Sequence, residues 1–201
     1  MCFNLFFGFF SGPESDRNVL LESLGLPTTV VDWAFEKVLQ ADEQTNFDFY
    51  IDHGDAGQTC FELKLSENGF GTCSGDDRHQ KKRVAIYVPR LESWVPSELL
   101  APHFFFANYQ IMRNVSYVDA TLPRRVIFLH PRANLPLSFA EPLLGDLANR
   151  APRGLIRSIH LEDLWESLEA RASDLSSTAR ESVSEFQAKY LPAELRPEGS
   201  D

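Results

Sequence analysis

Two acidic residues and a lysine lie at spacings that could support hydrolysis of a phosphodiester. Asp48 precedes a turn centred near Asp55, and Glu62 and Lys64 follow that turn. If the two segments pair as a β-hairpin, Asp48 faces Glu62 across the ladder. Like charges in that position repel each other. The pattern therefore favours a cation bound between the two carboxylates.

Mg²⁺ is the expected ion, with Mn²⁺ as the alternative. Hard divalent cations bind carboxylate and carbonyl oxygens and keep several waters, so Asp48, Glu62 and a backbone carbonyl would supply part of the shell. Lys64 would lie on the same side as Glu62, where an ammonium group can position the attacking water or neutralise charge on a phosphate. The alternative is that Glu62 and Lys64 are exposed polar residues on the wet face of an antiparallel strand.

The elements that position these residues are predicted from hydrophobic periodicity. Apolar residues recur at helical spacing over 28–40, which predicts an amphipathic helix. Alternation predicts strands over 46–51 and 61–65, joined as a hairpin. On the first of these strands three apolar residues are expected to share one side: Phe47, Phe49 and Ile51.

The remaining chain alternates between helices and strands. We predict a polar loop over 68–82, a strand over 83–88, a helical stretch over about 97–118, a buried strand over 125–129, a helix over 138–150, a strand over 156–161, and a long or broken helix over 162–190. This α-β-β-β-α-β order with an α-β-α extension predicts an α/β fold, with a mixed central sheet flanked by helices. We expect a single domain over 1–191 and a frayed acidic tail over 192–201.

Composition excludes several classes of protein. The 201 residues are 43% hydrophobic and 24% charged, as in ordinary globular domains. Three cysteines without a CxxC pair argue against a disulfide framework and a structural zinc site, so we expect a cytoplasmic protein. No stretch approaches the ~20 apolar residues of a membrane helix, and we expect no membrane association. Four histidines lack ligand spacing and are interpreted as structural or surface residues: His53, His103, His130 and His160.

Charge is distributed unevenly along the chain. The net charge of −10 disfavours diffuse coating of nucleic acid, yet residues 78–157 are basic and both flanking regions are acidic. This pattern suits a site that gathers divalent cations beside a surface for phosphates; alternatively, the charges mix on the folded surface. The candidates for phosphate contact are Arg78, His79, Lys81, Lys82 and Arg83, followed by Arg113, Arg124 and Arg125.

These motifs resemble a superfamily of nucleases. Asp48, thirteen intervening residues and Glu62-Leu63-Lys64 on the next strand look like the PD-(D/E)XK pattern. More narrowly, Asn46-Phe47-Asp48 and the segment 61–71 are similar to a restriction-endonuclease-like group, and Cys2–Phe6 and Tyr109–Asn114 also fit that group. The similarity covers about residues 2 to 135. The chain departs from the pattern because no proline precedes Asp48, and Leu65 stands where the group usually has an aromatic residue.

The resemblance implies a restriction-endonuclease-like core and an Mg²⁺-dependent endonuclease acting on DNA. In that reading Asp48 and Glu62 bind the metal, and Lys64 serves the attacking water. Three accessory residues are implied or considered in addition. Glu36, on the predicted helix, would match the helical carboxylate of the superfamily, and Gln110 would match a glutamine that some members place near the site. Glu67 ends the second strand and, by alternation, lies off the side of Glu62 and Lys64, so its role is less well defined.

A catalytically silent module of the same fold is the alternative function. It would bind nucleic acid or a partner protein, and inactive relatives occur in the superfamily. The net charge of −10 and the acidic C-terminal helix favour it. The long terminal helix would also suit a homodimer, since many nucleases cut the two strands as pairs.

Overall fold

A five-stranded mixed sheet forms the centre of the fold. The computed structural model describes residues 2–40 and 45–190, so the predicted tail over 192–201 lies outside the described residues. The strand order is β1-β2-β3-β4-β5, in which β2 is antiparallel to β1 and β3, and β4 is parallel to β3 and β5. The strands are Asp32–Val38 (β1), Asn46–Asp52 (β2), Gln58–Leu63 (β3), Arg124–His130 (β4) and Ile156–His160 (β5).

Helices cover both faces of this sheet. They are Cys2–Phe10 (α1), Glu14–Ser23 (α2), Asp77–Lys82 (α3), Val88–Leu91 (α4), Ser97–Leu100 (α5), Pro102–Ala107 (α6), Tyr109–Val115 (α7), Leu135–Ser138 (α8), Glu141–Arg150 (α9), Leu161–Glu169 (α10) and Ser177–Tyr190 (α11). A wide helical turn, Arg83–Tyr87, joins α3 to α4. Within 2–40 and 45–190, no helix has the length and apolarity needed to span a bilayer.

The sheet separates two hydrophobic cores. In the first core, α1, α2, α10 and α11 pack against residues that include Phe49 and Phe61. In the second core, α9 and the helices between β3 and β4 pack against residues that include Val126 and Phe128. Phe6 of α1 stacks on Phe49 with ring centroids 4.1 Å apart, so one face of α1 packs on the first core, whereas Phe7 on the same helix is exposed. The predicted α/β fold with a mixed sheet between helices is confirmed.

The helix predicted over 28–40 is wrong, because this segment forms the edge strand β1. The residues expected on its buried stripe include Val31, which is 68% exposed, and Val38, which is 44% exposed. Trp33 and Phe35 instead alternate along the strand and pack on the first core. Aromatic and β-branched residues suit a pleated, half-buried surface, and pairing with β2 here outweighs the helical spacing.

The strand predicted over 83–88 is also wrong, because these residues are helical. Tyr87 and Leu91 are four positions apart and fully buried, whereas Val84 is 60% exposed. Pro89 lies directly after the wide helical turn, in which the backbone nitrogen of Val88 donates to the carbonyl of Arg83. The structure also has three strands, then helices, then a fourth strand, but the first of these strands is the segment predicted as a helix, and the segment predicted as the third strand is helical.

The later elements agree with the predictions in order and approximate position. β4 and β5 are the predicted strands, and α9 lies within the predicted helix over 138–150. The helical stretch over 97–118 is confirmed but divided into α5, α6 and α7, since Ala101 before Pro102 is extended with ψ of 141°. The last predicted helix is broken into α10 and α11, and the end of the predicted loop over 68–82 forms α3.

Candidate active site

The hairpin of β2 and β3 places Asp48 beside the end of β3. The register is the predicted one, with Phe49 opposite Phe61. The paired ladder does not extend to Asp48, whose Oδ2 instead accepts a hydrogen bond of 2.7 Å from the backbone nitrogen of Leu63. The Asp48 carboxylate thus accepts the hydrogen bond of a backbone N–H group on β3, one residue beyond Glu62.

The side chains of β2 change from one core to the other at Asp48. Phe49 and Ile51 belong to the first core, as predicted. Phe47 belongs to the second core, where its ring centroid lies 5.2 Å from that of Tyr117. The prediction that all three apolar residues share one side is therefore wrong, because the regular alternation of β2 is interrupted at the acidic residue.

Glu36 lies opposite Asp48 on the neighbouring strand. It belongs to the edge strand β1, and not to a helix as predicted. The pairs on either side of it place Glu36 opposite Asp48, at a step where the β1–β2 ladder is interrupted. Its φ of 50° lies in the left-handed region, which is uncommon outside glycine. Backbone conformations of this kind in residues other than glycine are concentrated at functional sites. The break lies at the level where the side chains of β2 change from one core to the other.

Glu62 is buried at the end of β3 and is held by two amides from α7. Gln110 Nε2 lies 2.5 Å from Oε1, and Asn114 Nδ2 lies 2.8 Å from Oε2. Lys64 Nζ forms an ion pair with Oε1 at 2.8 Å. Only 3% of the Glu62 side chain is exposed, and a charge buried to this degree requires partners of this kind.

Gln110 is in turn oriented by Gly71. The backbone nitrogen of Gly71 donates to Gln110 Oε1 at 2.9 Å, and the carbonyl of Gly71 accepts from the backbone nitrogen of Gln110 at 2.9 Å. A Cβ at position 71 would approach Oε1 to 3.2 Å, so a residue without a side chain permits this close contact. Because its oxygen faces Gly71, the amide presents its NH₂ group to Glu62.

Asn114 is a site residue that sequence reasoning misses. It is fully buried and bonded to Glu62, although in the sequence it is only one member of the segment that resembles the family. The signal that could have found it is its spacing of four residues from Gln110, which places both amides on one face of a helix.

We expect Asn114→Ala to lower the free energy of unfolding by about 2–3 kcal/mol, because it leaves an oxygen of a buried carboxylate without its donor. Urea denaturation in the presence of EDTA measures this cost. In a Glu62→Gln background the same substitution should cost about 1 kcal/mol less, since the charge that requires the donor is gone. An equal cost in the two backgrounds would mean that Asn114 acts through packing alone.

The site carries more negative charge than its lysine balances. The pKa of Asp48 is raised to about 6, first by burial and second by the charge of Glu62. The hydrogen bond from Leu63 and the charge of Lys64 oppose this shift, and Glu67 adds to it. Two carboxylates therefore raise the pKa of Asp48, and among the described residues the ammonium group of Lys64 opposes them. A divalent cation would relieve this arrangement.

Glu67 shapes the chain directly after β3. Its Oε2 accepts hydrogen bonds from the backbone nitrogens of Leu65 at 2.6 Å and Ser66 at 3.0 Å. The strand ends at Leu63, so the strand alternation used to place Glu67 away from the site does not extend this far. The charge of Glu67 raises the pKa of Asp48, even though the Glu67 carboxylate accepts hydrogen bonds within its own loop.

The donor set fits a hard divalent cation. Of the four lone-pair positions of the Glu62 carboxylate, three accept the groups of Gln110, Asn114 and Lys64. One position on Oε2 therefore remains for a metal ligand bond. Oxygen ligands of this kind, close to a second carboxylate with a raised pKa, suit Mg²⁺.

Comparison with known families identifies the chain. The model of a family described as restriction endonuclease associating with ARP, or REase-ARP, matches residues 1–191. The chain belongs to the REase-ARP family. The match covers all five strands and both cores, and it confirms the resemblance to restriction-endonuclease-like proteins. No curated protein and no solved structure gives a significant match.

The predicted phosphate contacts of this REase-ARP chain differ in their surroundings. Arg78 and Lys81 are exposed on α3, and Lys82 is half-buried beside them. Arg83 donates to a backbone carbonyl of α5 at 2.6 Å, and Arg113 lies over a tyrosine ring of the same helix, 5.6 Å from its centroid. Arg78 and Lys81 are therefore the best placed of the five to meet a ligand from solvent.

Arg124 and Arg125 lie at the other end of the sheet. They begin β4, whereas Glu62 pairs with Phe128 near the end of that strand. Arg124 donates to Gln58 Oε1 at 2.7 Å, and Arg125 donates to a carbonyl of the hairpin turn at 3.1 Å. Both guanidinium groups thus stabilise the hairpin on the side away from the carboxylates.

Proposed function

We propose that this REase-ARP protein is an Mg²⁺-dependent endonuclease that hydrolyses DNA phosphodiester bonds with a metal-activated water. The observation that carries the proposal is the ion pair of 2.8 Å between Lys64 and the buried Glu62, beside Asp48 with its raised pKa. The family description supports a nuclease-type function, and DNA is the substrate class that a restriction endonuclease acts on.

Each residue has a distinct role in this proposal. Asp48 and Glu62 would hold the cation, which when bound acts as a Lewis acid and lowers the pKa of a bound water. Gln110 and Asn114 fix the Glu62 carboxylate in place before substrate arrives, so no reorganisation is needed at the moment of reaction. Lys64 is 12% exposed, and its ammonium group orients the water and offsets the charge that develops on the phosphate.

Cleavage of supercoiled plasmid tests this proposal directly. The full chain should convert the plasmid to nicked or linear DNA with Mg²⁺ but not with EDTA. Glu62→Gln should abolish the conversion, whereas Glu98→Gln, on the exposed surface of α5, makes the same chemical change away from the site and should preserve it. A wild-type protein that cuts neither double-stranded nor single-stranded DNA with Mg²⁺ or Mn²⁺ would contradict the proposal.

A silent binding module is the second candidate function. It is favoured by the net charge of −10 and by the description of the family as associating with ARP, which we extend to this chain as a proposed partner. Calorimetric titration with Mg²⁺ separates the two candidates. Heat of binding in the wild type that vanishes in Asp48→Ala supports the nuclease, and the absence of Mg²⁺ binding in the wild type supports the module.

The exposed basic residues of α3 should carry part of the affinity for DNA. We expect the double variant Arg78→Ala/Lys81→Ala to bind DNA more weakly and to reduce the slope of log K against log salt by about 2, since each lost phosphate contact removes about 0.9. Fluorescence anisotropy at several salt concentrations measures both effects. The control Arg180→Ala/Lys189→Ala removes two exposed charges from α11; if both variants give the wild-type slope, α3 does not contact the phosphates.

A further inference from the structure

A second group of metal-binding side chains lies at the end of the sheet where β3, β4 and β5 all terminate. His130 ends β4, His160 ends β5, and the two are direct partners in the parallel register. Glu141 is the first residue of α9. One potential ligand atom from each of the three lies within 4.8 Å of the others. These two histidines lack ligand spacing in the sequence, but the pairing of β4 with β5 brings together residues thirty positions apart.

His130 has unused hydrogen-bonding capacity in a buried position. The residue is fully buried, its Nε2 lies 2.8 Å from Ser158 Oγ, and its Nδ1 has no hydrogen-bond partner among the described residues. A buried polar atom without a partner costs free energy.

His160 has a carboxylate at each ring nitrogen. Its Nε2 lies 2.9 Å from Glu141 Oε1, and its Nδ1 lies 3.6 Å from Asp163 Oδ2. Asp163 is itself bonded to Arg132 at 2.5 Å. A histidine that binds a metal through one nitrogen commonly faces a carboxylate at the other, which fixes the ring and raises its basicity. Asp163 is placed for that role.

We propose that His130, Glu141 and His160 bind a borderline divalent metal ion such as Zn²⁺. Two imidazoles and one carboxylate are a ligand set that suits zinc and its neighbours in the first transition row, and not Mg²⁺. Three protein ligands leave a fourth position for water. The bound ion would cross-link the first turn of α9 to the ends of β4 and β5. The inference uses none of the residues of the proposed nuclease site and does not depend on that activity.

Titration of the full chain with Co²⁺, followed by visible absorption and by displacement with Zn²⁺, tests the site. With excess Mg²⁺ present to fill the proposed nuclease site, we expect one equivalent of Co²⁺ to bind to the wild type and to Asp48→Asn, which lacks a ligand of that site. His160→Ala and Glu141→Gln should weaken binding by at least about tenfold, the lower bound for loss of even an outer partner of a metal ligand. His103→Ala removes an exposed imidazole from α6 and should bind as the wild type does.

A second measurement guards against variants that fail to fold. Zn²⁺ should raise the unfolding temperature of the wild type and of His103→Ala but not that of Glu141→Gln, in which glutamine keeps the size of the side chain. The proposal is overturned if the wild type binds no Co²⁺. It is equally overturned if folded Glu141→Gln and His160→Ala bind Co²⁺ as tightly as His103→Ala.

Discussion

Replacing Lys64 with alanine should reduce DNA cleavage by on the order of 10²–10³-fold while the protein stays folded. The ammonium group is 12% exposed and lies 2.8 Å from Glu62, so it acts in a region where its charge is weakly screened. Its loss leaves Glu62 with the two amides of α7, which keep the carboxylate satisfied. The initial rate of plasmid nicking at saturating Mg²⁺ measures the effect.

Two controls show whether the loss of cleavage depends on the lysine at position 64. Lys189→Ala removes an exposed lysine from α11 and should leave the cleavage rate unchanged. Calorimetry should show that Lys64→Ala still binds Mg²⁺, since a cation has been removed from beside the acidic pair. Wild-type cleavage by Lys64→Ala would eliminate the proposed role of the ammonium group, and the nuclease assignment would then lose its central residue.

Replacing Asp48 with asparagine should make the metal-free protein more stable and at the same time inactive. The pKa of Asp48 is about 6 in the folded protein, against an ordinary value of 3.8, so the native state holds this proton more tightly than the unfolded chain does. The contribution of Asp48 to stability therefore falls as pH rises from about 4 to about 6 and stays low above that range. Asparagine removes the charge and keeps an oxygen for the backbone nitrogen of Leu63.

We accordingly expect Asp48→Asn to raise the free energy of unfolding by about 1–3 kcal/mol at about pH 8 and by close to zero at about pH 4. Urea denaturation with EDTA at the two pH values measures the difference. Asp55→Asn, an exposed change in the hairpin turn, should show no such pH dependence. Addition of Mg²⁺ should stabilise the wild type but not Asp48→Asn, and cleavage by the variant should be undetectable. Destabilisation by Asp48→Asn at high pH would refute this account.

The register of the central hairpin could be predicted because its signals are local. The apolar residues on each strand and the polar turn between them fix Phe49 opposite Phe61, and this pairing brings Asp48 towards Glu62. The core of the candidate site therefore follows from about seventeen consecutive residues. The alternation could not show the break at Glu36 and Asp48, because that break involves pairing with β1, a separate segment of the chain.

The errors arose where distant partners decide the local structure. The segment of β1 has apolar spacing compatible with a helix, and only its pairing with β2 selects the strand. Tyr87 and Leu91 are buried through contacts with helices further along the chain, a contact that the alternation of 83–88 does not reveal. His130 and His160 meet only when β4 pairs with β5. Parallel pairing leaves no short-range mark in a sequence, because its partners are separated by a whole crossover.

The hold of α7 on Glu62 has an evolutionary consequence. Because one carboxylate joins a helix to the end of the sheet, its removal would damage the architecture as well as any chemistry. In relatives that lose catalytic activity but keep the fold, we expect substitutions at Lys64 or Asp48 to come first. Glu62 should be retained long after the activity is lost. In such inactive relatives, the presence of the glutamate would then reflect its structural role and not a present activity.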